Sequence, residues 1–250
     1  MAFPNTSHIG SALAGSVMSR DVEYFEDFVG GGTTGKFSTT ADGADWLTTN
    51  VTGTGVYTIA DAELGGVWRI DTGAITDNHG CNCQMNGEAW AINASRDLYF
   101  ETRLKIAAAA SITKCDWVCG LCATDTSVLA GVADGIVFRS GAVDTAPLDA
   151  NSAAIVATTG DDMAASWTAT TISEALTGLS WVLDEFRTLA FLVEGNRRVR
   201  FFVDGAEKLN TTTNIPDVGT FLTPTIAIQN GDGVTREVME VDYFLVAQTR

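Results

Sequence analysis

Residues 98–106 read Leu98-Tyr99-Phe100-Glu101-Thr102-Arg103-Leu104-Lys105-Ile106, with apolar side chains on the even positions save Thr102 and polar or amphipathic ones between them. A repeat of two places Leu98, Phe100, Leu104 and Ile106 on one side of an extended chain, whereas a helix would scatter them around its axis. The segment is therefore expected to be a strand that covers a core with one face and meets water with the other. Downstream, Thr188–Val193 and Arg198–Val203 flank Glu194-Gly195-Asn196-Arg197. The Gly-Asn pair suits the positive φ angles of a tight turn, so the two runs should pair antiparallel. Asp204-Gly205 signals a second turn, and Val238–Ala247, apolar on both alternating faces, belongs in the middle of a sheet.

Further strands are expected at Val67–Ile70, Trp117–Leu121, Gly135–Phe138, Trp167–Ile172 and Thr225–Ile228, with Gly, Asn, Asp and Thr clusters between the runs. One short helical turn is expected at Ile172–Leu179, where Ser173 and Glu174 could open it and Gly178 close it. The 250 residues are 46% hydrophobic and 18% charged, enough to bury one large core, and 25 glycines and 32 threonines favour strands and turns over helices. The sequence predicts an all-β, antiparallel two-sheet sandwich over residues 21–250. Residues 1–20 form an extended N-terminal arm, whose apolar Phe3, Ile9, Leu13 and Val17 are spaced too irregularly for a helix.

Fifteen basic against 31 acidic residues give a net charge of −16, which argues against nucleic acid as a partner. Arg197, Arg198 and Arg200 lie beside Glu194 and Asp204 and read as a solvated face. No export signal opens the sequence, and no window approaches the ~18 apolar residues of a membrane-spanning helix. Five cysteines, an odd number, are expected to stay as free, buried thiols.

Several motifs suggest chemistry. Gly30-Gly31-Gly32-Thr33-Thr34-Gly35-Lys36 has the spacing of a phosphate-binding loop, but Phe37 occupies the hydroxyl position and no helical stripe follows. Cys115, Cys119 and Cys122 reproduce the spacing of the cluster loop of radical SAM enzymes; on a strand, however, Cys122 points away from the other two. His79, Cys81 and Cys83 would share one face of an extended segment and could supply three zinc ligands, with no fourth identifiable. With two histidines in the chain, little material exists for a nucleophilic triad. Glu240-Val241-Asp242 resembles the opening of the Glu-x-Asp-x-(x)-Glu signature of laminarinase-type glucanases, whose closing acid would fall on apolar Phe244 or Leu245. The expectation is a chain that is not an enzyme and carries no cofactor and no metal.

The block Arg187–Gly205, followed by Ile215-Pro216 and Val241-Asp242-Tyr243-Phe244, resembles the back half of concanavalin A-like jelly rolls. Phe25-Glu26-Asp27-Phe28, Leu98-Tyr99-Phe100-Glu101-Thr102-Arg103, Val118-Cys119-Gly120-Leu121 and Asp134-Gly135-Ile136-Val137-Phe138-Arg139 are similar in order and spacing to virion structural proteins of tailed bacteriophages with that fold. The resemblance implies a capsid decoration, or cement, protein made in the bacterial host cytoplasm. It would sit on the outer surface of the virion, bind the major capsid protein and form a homo-oligomer on the lattice. The charge agrees, because packaged DNA repels a polyanion from the capsid interior. Phe3, Ile9, Leu13 and Val17 are the candidate capsid contacts. The alternative is a lectin-like adhesion module, with Trp46, Trp68, Trp90 or Trp181 as glycan-stacking platforms; a β-glucanase comes third.

Overall fold

A computed structural model describes residues 21–28, 37–38, 45–53, 55–60, 66–73, 76, 78–107, 115–140, 154–160, 172–231 and 236–249. The candidate phosphate loop at 30–36, the expected strand residues 167–171 and the arm lie outside these residues. The described chain is almost entirely strand, with a single 3-10 turn at Val128–Ala130 and no α-helix. In order, the strands are β1 (Asp21–Glu26), β2 (Phe37–Ser38), β3 (Trp46–Thr52), β4 (Val56–Ala60), β5 (Val67–Asp71) and β6 (Gly80–Met85). There follow β7 (Trp90–Ala91), β8 (Leu98–Ile106), β9 (Cys115–Cys122), β10 (Gly135–Arg139), β11 (Ala154–Gly160) and β12 (Ile172–Ser180). The last are β13 (Arg187–Glu194), β14 (Arg198–Val203), β15 (Ala206–Thr211), β16 (Phe221–Asn230) and β17 (Val238–Thr249).

Two sheets stack face to face. Sheet A runs β15-β14-β13-β8-β17-β5-β4, with β1 beside the second half of β17; sheet B runs β12-β11-β10-β9-β16-β6-β3-β2, with β7 beside β16. The described pairs are antiparallel except β2 with β3. Neighbouring strands in each sheet are often far apart in sequence, which is the jelly-roll signature of strands returning from the opposite sheet.

Local sequence explains these pairings. The β13–β14 hairpin turns at Gly195, whose φ is +62° and whose α-carbon lies so close to Ala94 that an added Cβ would stand 2.7 Å from that carbonyl oxygen. The β14–β15 hairpin turns on Asp204 and Gly205 at φ +50° and +78°, a pair of left-handed residues that matches the twist of the flanking strands. As its two apolar faces require, β17 lies inside sheet A between β8 and β5.

The core fills the space between the sheets. Leu98, Phe100, Leu104 and Ile106 of β8 are buried against Cys119, Leu121, Phe138 and Ile226 of sheet B in one continuous cluster. Phe100 stacks on Phe191 at 4.9 Å between ring centres, and Phe201 meets Phe138 edge to face at 5.3 Å. Such aromatic pairs add to the area they bury.

Two sequence expectations fail here. The helical turn at Ile172–Leu179 is strand β12, paired antiparallel with β11 from Thr159↔Ile172 to Val156↔Ala175. The ladder offered by the edge of sheet B outweighs a local capping signal of three residues, since a single helical turn is a poor nucleus. The outer face of β8 does not meet water: Tyr99, Glu101 and Lys105 are buried, and Arg103 alone of that set is half-buried.

Candidate functional site

Each sheet presents an outer face that carries polar chemistry. On sheet A, β8 and β17 set a ladder of charges side by side. Lys105 Nζ reaches Asp184 at 2.9 Å and Glu240 at 3.1 Å, and Glu240 also meets Arg69 at 3.4 Å. Arg103 pairs with Asp242. The Arg103 and Lys105 cations lie 4.3 and 4.8 Å from the ring centre of Phe186, a cation–π arrangement. Burial alone would lower the Lys105 pKa, but the Asp184 and Glu240 carboxylates outweigh it and hold it above the usual value.

Further along the same face, the Glu101 carboxylate is only 3% exposed and is clasped by two phenols. Tyr99 donates to one oxygen and Tyr243 to the other, the latter at 2.6 Å. Burial, reinforced by the Glu101 charge, pushes both tyrosines far above their ordinary pKa, so they remain donors. Leucine at position 101 would leave both hydroxyls without their acceptor. The expected cost is about 2–4 kcal/mol in urea unfolding, and most of it should return in Glu101→Leu/Tyr99→Phe/Tyr243→Phe, where all three partners are removed together.

On sheet B, Asn82 and Gln84 of β6 hold the loop that follows β9. Asn82 Nδ2 donates to the Asp125 carbonyl at 2.7 Å, Gln84 Nε2 to the Ala123 carbonyl at 3.1 Å, and the Asp125 amide returns a bond to Gln84 Oε1 at 2.8 Å. Val128, Leu129 and Val132 of that loop pack on Val118, Cys122, Val137 and Ala227. Gly120 is required beneath them: its φ is +155° and an added Cβ would stand 2.4 Å from the Ile136 carbonyl oxygen. Arg139, 1% exposed, donates to Thr158 at 3.1 Å on the same face, and burial lowers its pKa to about 10. At the turn end of the sandwich, Asp97, Glu194, Arg197, Arg198 and Thr212 line an open hollow of about 410 Å³. Arg198 and Arg200 are paired with Glu194 and Glu207, so the basic run is neutralised locally, as its neighbours in sequence imply.

The proposed stacking platforms are elsewhere. Trp46 and Trp68 are 0% exposed, and Trp90 and Trp181 are 3% exposed. All four point between the sheets, where the largest apolar side chains gain most from burial, so none can stack on a sugar. The arm candidates Phe3, Ile9, Leu13 and Val17 lie outside the described residues.

Glu240 and Asp242 belong to the ion pairs above, a β-bulge separates their register at Val241/Tyr243, and Phe244, where a closing acid was considered, is in the core. Cys115 and Cys119 face the core while Cys122 faces the outer cluster, so the three thiols do not converge. Cys81 and Cys83 do share the inner face, but His79 packs against Gly53. Among the described residues no group of three His, Cys, Asp or Glu side chains could hold a metal ion. Sequence reasoning missed the Tyr99–Glu101–Tyr243 clasp. The i, i+2 placement of Tyr99 and Glu101 was visible, but their partner lies 142 positions further on.

No protein-family model and no curated protein sequence matches the chain. Solved structures do. A protein of unknown function from Shewanella oneidensis MR-1, SO2946, aligns with TM-score 0.58 and 14% identity over 99% of this chain and 97% of that one. The potassium-bound carbohydrate recognition domain of Emp46p aligns with TM-score 0.52 and 13% identity over 81% and 88%. The Bacillus licheniformis β-glucanase gives 0.54 and 16% over 91% and 98%. The last comparison corrects the expectation that the chain is not an enzyme: its sandwich is shared by glycoside hydrolases as well as lectin domains, and a missing signature acid does not divide the two. At these identities the likeness is one of fold, and the chain is an all-β, two-sheet concanavalin A-like jelly roll.

Proposed function

We propose that the chain is a virion surface module that docks on the outer face of a bacteriophage capsid shell and reinforces it, as the order of its motifs implies. The observation that carries this reading is the combination of a net charge of −16 with an apolar sheet edge. Val22 and Phe25 of β1 are 43% and 48% exposed, and among the described residues β1 has a strand partner on one side alone, β17. An edge with free backbone groups and apolar side chains suits attachment by strand addition, while the remaining acidic surface keeps unassembled copies apart. The major capsid protein is the proposed partner, with further copies of the chain beside it on the lattice.

The test is sedimentation of the purified chain with empty capsids that lack it. Wild type should co-sediment to saturation, and Val22→Asp/Phe25→Asp should lose at least about tenfold in affinity, equivalent to about 1.4 kcal/mol, with its circular dichroism unchanged. Equal binding by the variant, or no binding by either, would overturn the reading.

A second reading is glycan recognition, favoured by the carbohydrate recognition domains that share the fold and by the polar row of Asn82, Gln84 and Gln229 on sheet B. A glycan array separates the two: saturable binding of one sugar class with no capsid binding supports the second and defeats the first.

A further inference from the structure

The outer face of sheet A holds an apolar band that is buried although nothing described lies on it. Leu245 and Ala247 of β17, Tyr99 of β8, Ala190 and Leu192 of β13 and Phe202 of β14 form one cluster across four adjacent strands. Tyr99 is 6% exposed, Ala190 3%, Leu192 7% and Phe202 5%. Glu101 and its phenol clasp sit in the same band. Arg200 reaches over Phe202 at 5.2 Å from the ring centre, and Phe25 leans on Tyr243 at 5.9 Å, but these flank the band without roofing it. Phe186 covers the other end of β8, at Arg103 and Lys105. Among the described residues no strand or helix packs on the band from outside. An outer sheet face at such low exposure requires a cover, and apolar side chains alone would not supply their own.

Connectivity selects the cover. Residues 108–114 leave β8 at Ile106, residues 61–65 join β4 to β5, and residues 232–235 enter β17 at Val238, all away from the Tyr99 end; residues 29–44, 141–153 and 161–171 connect strands of sheet B. Residues 1–20 join at Asp21, whose β17 partner is Thr249, at the end where Gln248 pairs with Leu98 and Ala247 with Tyr99. Four strands span about 14 Å between the outer axes, which about five extended residues can cross. The segment has length to spare and carries Phe3, Ile9, Leu13 and Val17 at intervals along it.

We propose that residues 1–20 fold back over their own sheet A and seal the Tyr99–Leu192–Phe202 band, so that the segment is part of the sandwich of the free chain. This stands apart from the shell-binding reading, because it concerns the chain before any partner is met. Hydroxyl-radical footprinting of the full-length chain tests it. In Ile9→Ser/Leu13→Ser/Val17→Ser, labelling of Tyr99 and Phe202 should rise several-fold over wild type, while Phe100 and Phe138 in the core stay protected and act as the control for folding. Equal labelling of Tyr99 and Phe202 in both proteins would overturn the proposal. Protection in wild type that fades on dilution, together with a dimer in sedimentation, would also overturn it by assigning the cover to a second copy.

Discussion

Titration from pH 8 to about pH 11 is expected to unfold the protein completely, by the proton linkage of its buried thiols. All five cysteines are free and buried. Burial pushes Cys81 up to about 11 and Cys122 up to about 12, from an ordinary value of 9.0. Cys83, Cys115 and Cys119 are raised by the same cause. The unfolded chain releases these protons near the ordinary value, so above it the unfolded state binds fewer protons than the folded one. Stability is therefore full below pH 9 and falls as pH rises, by about 1.4 kcal/mol per pH unit for each thiol until its folded pKa is reached. Cys81 alone accounts for about 2–3 kcal/mol between its two values. Five such groups, with the raised Tyr99 and Tyr243 adding to them above pH 10, exceed a typical total stability of about 5–15 kcal/mol within about two pH units. Near-UV circular dichroism against pH measures the midpoint. Cys122→Ala should move it upward provided the small cavity is tolerated, and a fold that persists unchanged at pH 11.5 would refute the burial of the thiols.

What was legible in the sequence follows from where each signal resides. The period of two in residues 98–106 and the Gly195-Asn196 and Asp204-Gly205 turns are local properties, and β8, β13, β14 and β15 lie where those signals place them. The two-faced apolar run at the end of the chain likewise becomes an interior strand. The errors concern relations between distant residues. Ser173, Glu174 and Gly178 gave a helix signal, but the edge of β11 is a stronger partner than one turn of helix could be. Tyr99, Glu101 and Lys105 read as a wet face because their partners, Tyr243, Glu240 and Asp184, come from the far end of the chain. The tryptophans were offered as sugar platforms since composition cannot tell a side chain between two sheets from one on top of them.

That last distinction has a measurable consequence at Trp46, the candidate platform with the most extensive aromatic contacts. It projects from β3 of sheet B and meets Trp68 and Phe244 of sheet A at 5.2 and 5.0 Å between ring centres. Phe28 completes the group, 5.3 Å from Trp68 and 6.4 Å from Phe244. The cluster thus bridges the gap of about 10 Å between stacked sheets. Trp46→Ala removes the indole from a fully buried site that the surrounding rings cannot collapse to fill, and should cost about 3–5 kcal/mol. Trp46→Phe retains an aromatic ring and should cost less than half as much, because the residual cavity is smaller. Urea unfolding gives both values from the shift in midpoint at constant slope. A sugar platform would behave in the opposite way: its alanine variant would keep the wild-type midpoint, since an exposed indole adds little to folding, and would lose its ligand instead. An unchanged midpoint in Trp46→Ala would therefore remove Trp46 from the core and return it to the surface, and with it the packing of the two sheets at this end of the sandwich.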